Sequence, residues 1–374
     1  MDLQDKKRRK SNRDMAIMLI IPTAILGKLI AFLVLPEKYF YDSMRMALML
    51  TNSLKHGAWE GYTTTVNIFR KINVFNLTTR EQWSIVLGIV GTLLVMIMIS
   101  RVKEMSSLEV FFTLMSVGLL NIYAFNIAKE PVQMAFFLCI YIIIILPFNN
   151  SLIKIVGCAL IFFWESNTFR TYYILMAVMC LVLYVVFTIV KKIFKNLNIL
   201  KVIIVTVMCF AAMFAFVFAS QYVDKKSYED AINTKVQHKN EGATSAIENL
   251  VESDGSFGKF MINYVINAVR MLLPVELLFK SPGYFPFVIY QVFILMYWIR
   301  TIKNIRIINE RAFLSLICFT AYLFGSFVFE PDFGSWVRHE AASFPVFYIM
   351  AYEDLSLKKE EKTEYENQNE EYVF

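Results

Sequence analysis

The densest group of residues able to do chemistry lies near the C-terminus, in the segment Glu330–Glu340 between two apolar stretches. It contains Asp332 and an adjacent pair, Arg338 and His339. An imidazole can carry a proton near neutral pH, and a neighbouring arginine can stabilise a phosphate leaving group. We therefore interpret Arg338 as a substrate-binding residue and His339 as a catalytic residue. The alternative is that these charges only balance one another.

A second polar segment, Glu165–Tyr173, combines a carboxylate, hydroxyl groups, an amide and a guanidinium within one short turn. Arginine can grip phosphate oxygens through two parallel hydrogen bonds, and paired tyrosines suit stacking on a sugar or a lipid-linked headgroup. The sequence therefore predicts substrate contacts from Glu165, Arg170, Tyr172 and Tyr173. An interfacial arginine with tyrosines of the aromatic belt is the alternative interpretation.

Further candidates are isolated charges next to apolar stretches. Asp42 follows the first apolar stretch among aromatic residues and is a candidate catalytic base. Lys129 and Glu130 form a charged pair at a short turn, near a bilayer in which charges are costly, and we interpret them as substrate-binding. Such a pair before a proline also marks a helix start. Arg270 is a further substrate-binding candidate, although it could instead pair with Glu276.

About ten apolar stretches of roughly 15 to 21 residues must position these groups, since a bilayer core takes about 20 helical residues to cross. The chain is 57% hydrophobic and 18% charged, with a mean hydropathy of +0.52. This pattern predicts an all-α, polytopic integral membrane protein and excludes a water-soluble one. The net charge of +6 does not indicate nucleic-acid binding, because the basic residues cluster beside apolar ends.

The crossings predicted after the first two are Ser107–Phe125, Val132–Phe148, Ser151–Trp164, Tyr172–Val190, Val202–Ser220, Tyr284–Ile299, Ala312–Phe329 and Ala341–Tyr352. The first two are Met15–Leu35 and Trp83–Ser100. A full crossing by the apolar segment Phe257–Phe279, which carries Arg270, Pro274 and Glu276, would put the basic cluster Arg300–Arg311 outside. We therefore expect this segment to be re-entrant or to lie on the outer surface, with irregular backbone.

Basic clusters predict the orientation, because lysine and arginine accumulate in cytoplasmic connections. Residues 1–14 form a basic cytoplasmic N-terminus, and residues 15–352 form a single transmembrane domain of a bacterial plasma membrane. Its long outer connections are 36–82 and 221–280. The acidic segment 353–374 is expected to be a disordered cytoplasmic tail, because it has few apolar residues to bury.

Several motifs are missing from the sequence. All five cysteines lie within apolar stretches and form no CxxC pair, which indicates small core residues and no metal site. The chain has no HExxH, no GxSxG and no phosphate-binding glycine loop. We therefore expect no cofactor, and no ATP-driven transport by this chain alone.

Three features of the sequence together match a known architecture. They are about ten spans, an arginine-containing turn before a tyrosine-rich helix, and a terminal Arg-His pair before a proline-containing last helix. This pattern resembles the bacterial polysaccharide polymerases of capsule, exopolysaccharide and O-antigen loci, often called Wzy-type. The resemblance implies transfer of an oligosaccharide from an undecaprenyl-diphosphate-linked donor to a growing chain, on the outer face of the cytoplasmic membrane. It implies that Arg170 and Arg338 bind the donor diphosphate, that His339 or Asp42 assists the attacking hydroxyl, and that other polysaccharide-assembly membrane proteins are possible partners.

Two other functions remain open from the residues. A lipid-sugar-dependent membrane glycosyltransferase uses an outer carboxylate after its first span, and Asp42 occupies the corresponding place. A polysaccharide flippase or other transporter should carry ionisable residues at mid-membrane, and only Lys28 and Arg270 approach that position.

Overall fold

The computed structural model describes residues 3–54, 60–148, 150–168, 170–193, 199–237, 245–252 and 254–352. Of these, 82% are helical and none forms a strand, so the predicted all-α fold is confirmed. The one β-type contact among the described residues is an isolated bridge between Ala246 and Asp332. The predicted cytoplasmic tail, 353–374, lies outside the described residues.

Sixteen α-helices follow one another in the described part of the chain. Their bounds are α1 Leu3–Leu29, α2 Tyr41–Leu50, α3 Glu60–Ile72, α4 Arg80–Ser100, α5 Ser107–Leu119, α6 Lys129–Ile145, α7 Ser151–Thr168, α8 Tyr173–Ile193, α9 Ile199–Val223, α10 Lys225–Gln237, α11 Phe257–Leu272, α12 Glu276–Lys280, α13 Phe285–Lys303, α14 Glu310–Phe329, α15 Phe333–Ala342 and α16 Phe344–Tyr352. The π-helical turns Ile30–Val34 and Leu120–Ala124 extend α1 and α5.

Side-chain caps explain where several of these helices begin. Thr79 and Gln82 form a capping box at α4, and Ser106 and Glu109 form another at α5. Each box satisfies backbone N–H groups that have no partner inside the helix. Both boxes lie directly before long apolar runs, so the sequence fixes the points at which these helices start.

Among the described residues, seven helical segments are long and apolar enough to cross a membrane: Gln4–Val34, Arg80–Ser100, Ser107–Ala124, Tyr173–Ile193, Val202–Tyr222, Phe285–Lys303 and Glu310–Phe329. They agree with a polytopic membrane protein. The predicted count of about ten crossings, and the predicted side of the termini, stay predictions.

The last predicted crossing, Ala341–Tyr352, differs in the structure. It is divided between α15 and α16 at Ser343, whose backbone N–H and hydroxyl both donate to the Glu340 carbonyl, at 2.9 and 2.7 Å. The nine residues of α16 span about 14 Å, roughly half of a bilayer core. Hydropathy alone did not reveal this break, because both sides of it are apolar.

The long predicted outer connections also contain helices. Connection 36–82 includes α2 and α3, and connection 221–280 includes α10, α11 and α12. The segment Phe257–Phe279 is interrupted near Pro274, as its sequence suggested, because proline cannot donate a backbone hydrogen bond within a helix. Its depth in the membrane is untested.

The chain divides into two compact units. The first comprises Met1–Cys139, Trp164–Thr171 and Val337–Pro345, and the second comprises Ile140–Phe163, Tyr172–Trp336 and Val346–Phe374. In the first unit α1 packs against α4 and α5. Gly27 allows a close approach there, since a Cβ at this position would lie 3.1 Å from the Gly118 carbonyl oxygen.

The second unit is organised around α14, and 94% of the apolar stretch of this helix is buried inside the protein. Hydrogen bonds fix this helix to its neighbours: the Tyr264 hydroxyl donates to the Phe324 carbonyl at 2.7 Å, and the Trp298 indole donates to the Thr320 hydroxyl at 2.9 Å. Gly325 lets α8 approach, because a Cβ there would lie 2.8 Å from Met176. All five cysteines are free thiols.

Candidate functional site

Charged side chains from three helices, α2, α6 and α15, and from the turn that follows α7 meet inside the first unit. We call this group the ionic cluster, and its members are Asp42, Lys129, Glu130, Arg170, Arg338 and His339. All six were candidate site residues in the sequence. The structure therefore brings together residues that are up to 297 positions apart in the chain.

Each member is placed by the end of a helix. Asp42 lies in the first turn of α2, and Lys129 and Glu130 are the first two residues of α6. The positive end of the helix dipole favours a carboxylate at such positions. Arg170 follows the end of α7, while Arg338 lies on α15.

Helix α15 itself starts at a side-chain cap. The Asp332 carboxylate accepts hydrogen bonds from the Ser335 backbone N–H and hydroxyl, at 2.8 and 2.9 Å. A carboxylate that caps a helix in this way satisfies otherwise unpaired backbone donors. Asp332 therefore acts as a helix cap, and Glu330, from the same polar segment, is buried in the second unit.

His339 is held by a short hydrogen bond from an arginine. The Arg170 Nη2 atom lies 2.7 Å from His339 Nε2, and both side chains are buried. A guanidinium remains protonated and can only donate, so Nε2 must be the acceptor. The Gln133 side-chain amide also donates to the His339 backbone carbonyl, at 3.5 Å. His339 is thus a neutral imidazole in this arrangement.

The surroundings of His339 lower its pKa well below the usual value. Burial is the largest cause, followed by the positive charges of Arg170 and Lys129, and the negative charge of Glu130 opposes them only in part. The imidazole therefore remains unprotonated at neutral pH. A neutral imidazole can accept a proton, which is what a general base must do.

The lowered pKa predicts that acid destabilises the protein through His339. Below the ordinary histidine pKa of about 6.5 the unfolded chain binds a proton that the folded protein does not, so folding stability falls as the pH falls. Between pH 7.5 and 5.5 we expect a loss of about 1.4 kcal/mol from this residue. The measurement is denaturant unfolding of detergent-solubilised protein at both pH values.

The matched variant for this measurement is His339→Gln, which keeps a polar side chain but cannot titrate. Its loss of stability between the two pH values should be smaller than that of the unmodified protein by about 1.4 kcal/mol. An equal loss in both proteins would contradict a neutral, buried His339.

Two cations and one hydrogen-bond donor surround the Asp42 carboxylate. Its Oδ2 atom lies 3.4 Å from Lys129 Nζ and 3.8 Å from Arg338 Nη2, and its Oδ1 atom accepts a hydrogen bond from the Tyr62 hydroxyl. Burial, the largest single influence, acts to raise the Asp42 pKa. The charges of Lys129 and Arg338 and the Tyr62 hydrogen bond together outweigh it and hold the pKa well below its usual range. Asp42 is therefore an ionised and weak base.

Glu130 is fully buried but receives no hydrogen bond from the described residues at either carboxylate oxygen. Its Oε1 atom lies 3.8 Å from Arg338 Nε, an ion-pair distance that is too long for a hydrogen bond, and 3.6 Å from Nε2 of the neutral His339. A buried acceptor without a donor is costly. Glu130 could therefore accept a hydrogen bond from a ligand.

The remaining candidates from Glu165–Tyr173 have different surroundings. Glu165 is buried in the last turn of α7, within the first unit, and its backbone carbonyl accepts from the Arg170 N–H at 3.3 Å. Tyr172 and Tyr173 belong to the second unit, where Tyr172 stacks on Phe329 with ring centroids 4.4 Å apart. Tyr173 is completely buried. Its ring thus packs against protein, which differs from the predicted contact with a sugar.

Arg270 follows the alternative that the sequence left open. Its Nε and Nη2 atoms donate to the two carboxylate oxygens of Glu276, at 2.7 and 2.8 Å, and its Nη1 atom donates to the Glu248 carbonyl at 2.6 Å. This paired geometry joins α11 to α12 across the break at Pro274. The structure therefore shows Arg270 in a bridging role and not in the ionic cluster.

Sequence reasoning missed two residues that contact the ionic cluster. Gln133 lies four residues after Lys129 and therefore on the same face of α6, which is a signal that helical spacing could have given. Tyr62 lies 20 residues from Asp42 on another helix. No local pattern indicates that second contact, because it depends on how α2 packs against α3.

The fold and the ionic cluster define an all-α polytopic membrane protein with ionisable residues gathered where its helices end. Comparison of the chain with known protein families, with curated proteins and with solved structures gave no match. In the described part of the chain, no group of three or more histidine, cysteine or acidic residues is arranged to hold a metal ion.

Proposed function

We propose that this protein polymerises lipid-linked oligosaccharide repeat units into a surface polysaccharide on the outer face of the cytoplasmic membrane. The observation that carries the proposal is the position of Glu130, a buried carboxylate without a hydrogen bond from the described residues, beside a neutral imidazole and a guanidinium. Glycosyl transfer from a diphosphate requires a base for the attacking hydroxyl, a hydrogen-bond acceptor that orients this hydroxyl, and cations that stabilise the leaving diphosphate.

The cations of the ionic cluster suit a diphosphate leaving group. Arg338 and Lys129 both approach Asp42, and Arg170 donates a hydrogen bond to His339. Guanidinium groups bind phosphate oxygens bidentately, and positive charges stabilise the negative charge that develops on a departing diphosphate. In this proposal Arg170 and Arg338 bind the diphosphate of the donor lipid, and Lys129 adds a third positive charge.

His339 is the better base of the two catalytic candidates. The charges of Lys129 and Arg338 hold the pKa of Asp42 well below its usual range, so its affinity for a proton is low. The pKa of His339 is also lowered, but part of that effect comes from the positive charge of Arg170 and is lost when Arg170 moves away. His339 is neutral and can take the proton at Nε2 once Arg170 has moved to the donor phosphates. We assign Asp42 to holding Lys129 and Arg338 in position.

The proposed reaction transfers a glycosyl group between two oxygen atoms. A hydroxyl oxygen of the acceptor sugar attacks the anomeric carbon of the donor, and a new glycosidic bond forms. The bond between this carbon and the phosphate oxygen breaks, so the lipid diphosphate leaves with the electron pair. The hydroxyl proton passes to His339 Nε2, and Glu130 orients the hydroxyl by accepting its hydrogen bond before the attack.

The test uses the full-length protein in lipid nanodiscs with a purified lipid-linked oligosaccharide repeat unit. A polymerase should convert this single substrate into a ladder of products that differ by one repeat unit and release free lipid diphosphate. Electrophoresis of the saccharides and mass spectrometry of the lipids measure both. Addition of one sugar without a ladder would instead indicate a lipid-sugar-dependent glycosyltransferase, and movement of intact substrate between leaflets would indicate a flippase.

A further inference from the structure

We propose that the first unit binds an anionic phospholipid in a groove between α1 and α4, with the lipid phosphate at Lys28 and one acyl chain along the groove. This inference concerns residues outside the ionic cluster. It does not depend on the polymerase proposal, because a transporter or another membrane enzyme could bind the same lipid.

The groove has a volume of about 380 Å³ and an almost entirely apolar lining. Its wall on α1 and the following π-helical turn includes Ile21, Ile25 and Phe32, and its wall on α4 includes Ile89 and Leu93. The four aliphatic side chains among these are about half exposed, at 50% to 57% of their surface. An acyl chain could therefore reach them from the surrounding bilayer.

Lys28 places a positive charge in this apolar groove without a carboxylate partner. Its ammonium donates to the Ser84 hydroxyl at 2.8 Å and to the Phe125 carbonyl at 2.6 Å, and both acceptors are neutral. No acidic side chain lies within ion-pair distance of Lys28 in the parts of the chain that the structure describes. A charged lysine inside a membrane is costly and usually has a partner, and an anionic headgroup beside Lys28 would supply one.

A second cation lies at the same end of the groove. The Arg80 guanidinium lies over the rings of Phe32 and Phe40, at 5.9 and 4.7 Å from their centroids. Its Nε atom pairs with Glu81 at 3.0 Å, but its buried Nη1 atom donates to none of the described residues. Lys28 and Arg80 therefore mark the end of the groove at which an anionic headgroup would lie, because both could donate further hydrogen bonds to it.

The depth of the groove fits a phospholipid of one leaflet. Ser84, which holds Lys28, is four residues into α4 and so about 6 Å from the start of the helix, near headgroup depth. From Ile85 to Met96 the groove follows α4 for about 16 Å, and half of a bilayer core of about 30 Å is about 15 Å. An acyl chain fills this length, whereas the chain of a polyprenyl carrier is much longer. The length thus favours a phospholipid.

Native mass spectrometry of the purified full-length protein tests this inference. Phosphatidylglycerol and phosphatidylcholine with identical acyl chains are added separately, and the bound fraction is measured at increasing lipid concentration. We expect phosphatidylglycerol to bind about tenfold more tightly. Lys28→Met, which keeps the length of the side chain and removes its charge, should reduce phosphatidylglycerol binding about tenfold, to the phosphatidylcholine level.

Two further variants separate this interpretation from a folding defect. Lys38→Met removes an exposed lysine near the same end of α1 and should bind phosphatidylglycerol as the unmodified protein does. Ile89→Trp fills the groove from a half-exposed position, leaves Lys28 in place and should weaken both lipids. Equal binding by the Lys28→Met and Lys38→Met proteins would overturn the inference. So would recovery of a polyprenyl phosphate lipid, and not a phospholipid, from protein purified from cells.

Discussion

Replacing Arg338 with lysine should reduce polymerisation roughly a hundred- to a thousand-fold, which is the usual loss when one stabilising contact to a developing negative charge is removed. Arg338 approaches Asp42 through Nη2 and Glu130 through Nε, both at 3.8 Å. A lysine keeps the charge but has no planar group with which to contact two carboxylates and a phosphate together. The length of surface polysaccharide chains in cells that carry only the variant measures this effect. Single repeat units should replace long chains.

The control for this experiment is Arg70→Lys, on α3. Arg70 also makes several hydrogen bonds, to Asn67, Asn52 and the Met49 carbonyl, but it lies outside the ionic cluster. Its variant should give chains of normal length at an equal protein level, and Arg338→Ala should behave like Arg338→Lys. If both Arg338 variants gave polysaccharide chains of normal length and amount, Arg338 would not belong to the site. Its charge would then have only a structural role.

Replacing Asp42 with asparagine should destabilise the folded protein by roughly 3 kcal/mol, the lower end of the usual cost of removing one partner from a buried ion pair, because the Asp42 side chain keeps 20% of its surface exposed. The substitution leaves Lys129 and Arg338 close together without the carboxylate that both approach. The asparagine oxygen can still accept the Tyr62 hydrogen bond, but the amide NH2 group then replaces the oxygen that faces both cations. Unfolding of the solubilised protein by increasing concentrations of denaturing detergent gives the measurement.

The matched control for the stability experiment is Asp254→Asn, which makes the same chemical change in an exposed ion pair. Asp254 lies 3.0 Å from Lys259 in the second unit, and both side chains are largely in contact with solvent. Pairs of this kind contribute little to stability, so the control should unfold as the unmodified protein does. If Asp42→Asn were as stable as this control, the ionic cluster would not be held together by Asp42.

Residue chemistry predicted the members of the ionic cluster better than their contacts. The resemblance implied that Arg170, Arg338 and either His339 or Asp42 act on one substrate, and in the structure Arg170 contacts His339. The specific contact could not be derived, because 169 residues separate the two side chains. Only the tertiary packing that brings the turn after α7 beside His339 determines it.

The failures of prediction have a common physical cause. Tyr173 and Arg270 have side chains that suit a binding site, but the sequence does not show which way a helix faces. In the structure Tyr173 is buried, and Arg270 pairs with Glu276. The break between α15 and α16 was equally hidden, since apolar residues on both sides continue the hydropathy of a single span.

The hydrogen bond between Arg170 and His339 has a consequence for the resting state of the site. While the guanidinium occupies the Nε2 lone pair, the imidazole cannot take a proton from a passing water molecule. Water is the acceptor that a sugar-transferring enzyme most needs to reject, because hydrolysis would waste the activated lipid. If arrival of a diphosphate draws Arg170 away, the base becomes available only when a donor is present. The hydrogen bond from Arg170 would then prevent hydrolysis of the donor by keeping His339 from acting as a base toward water.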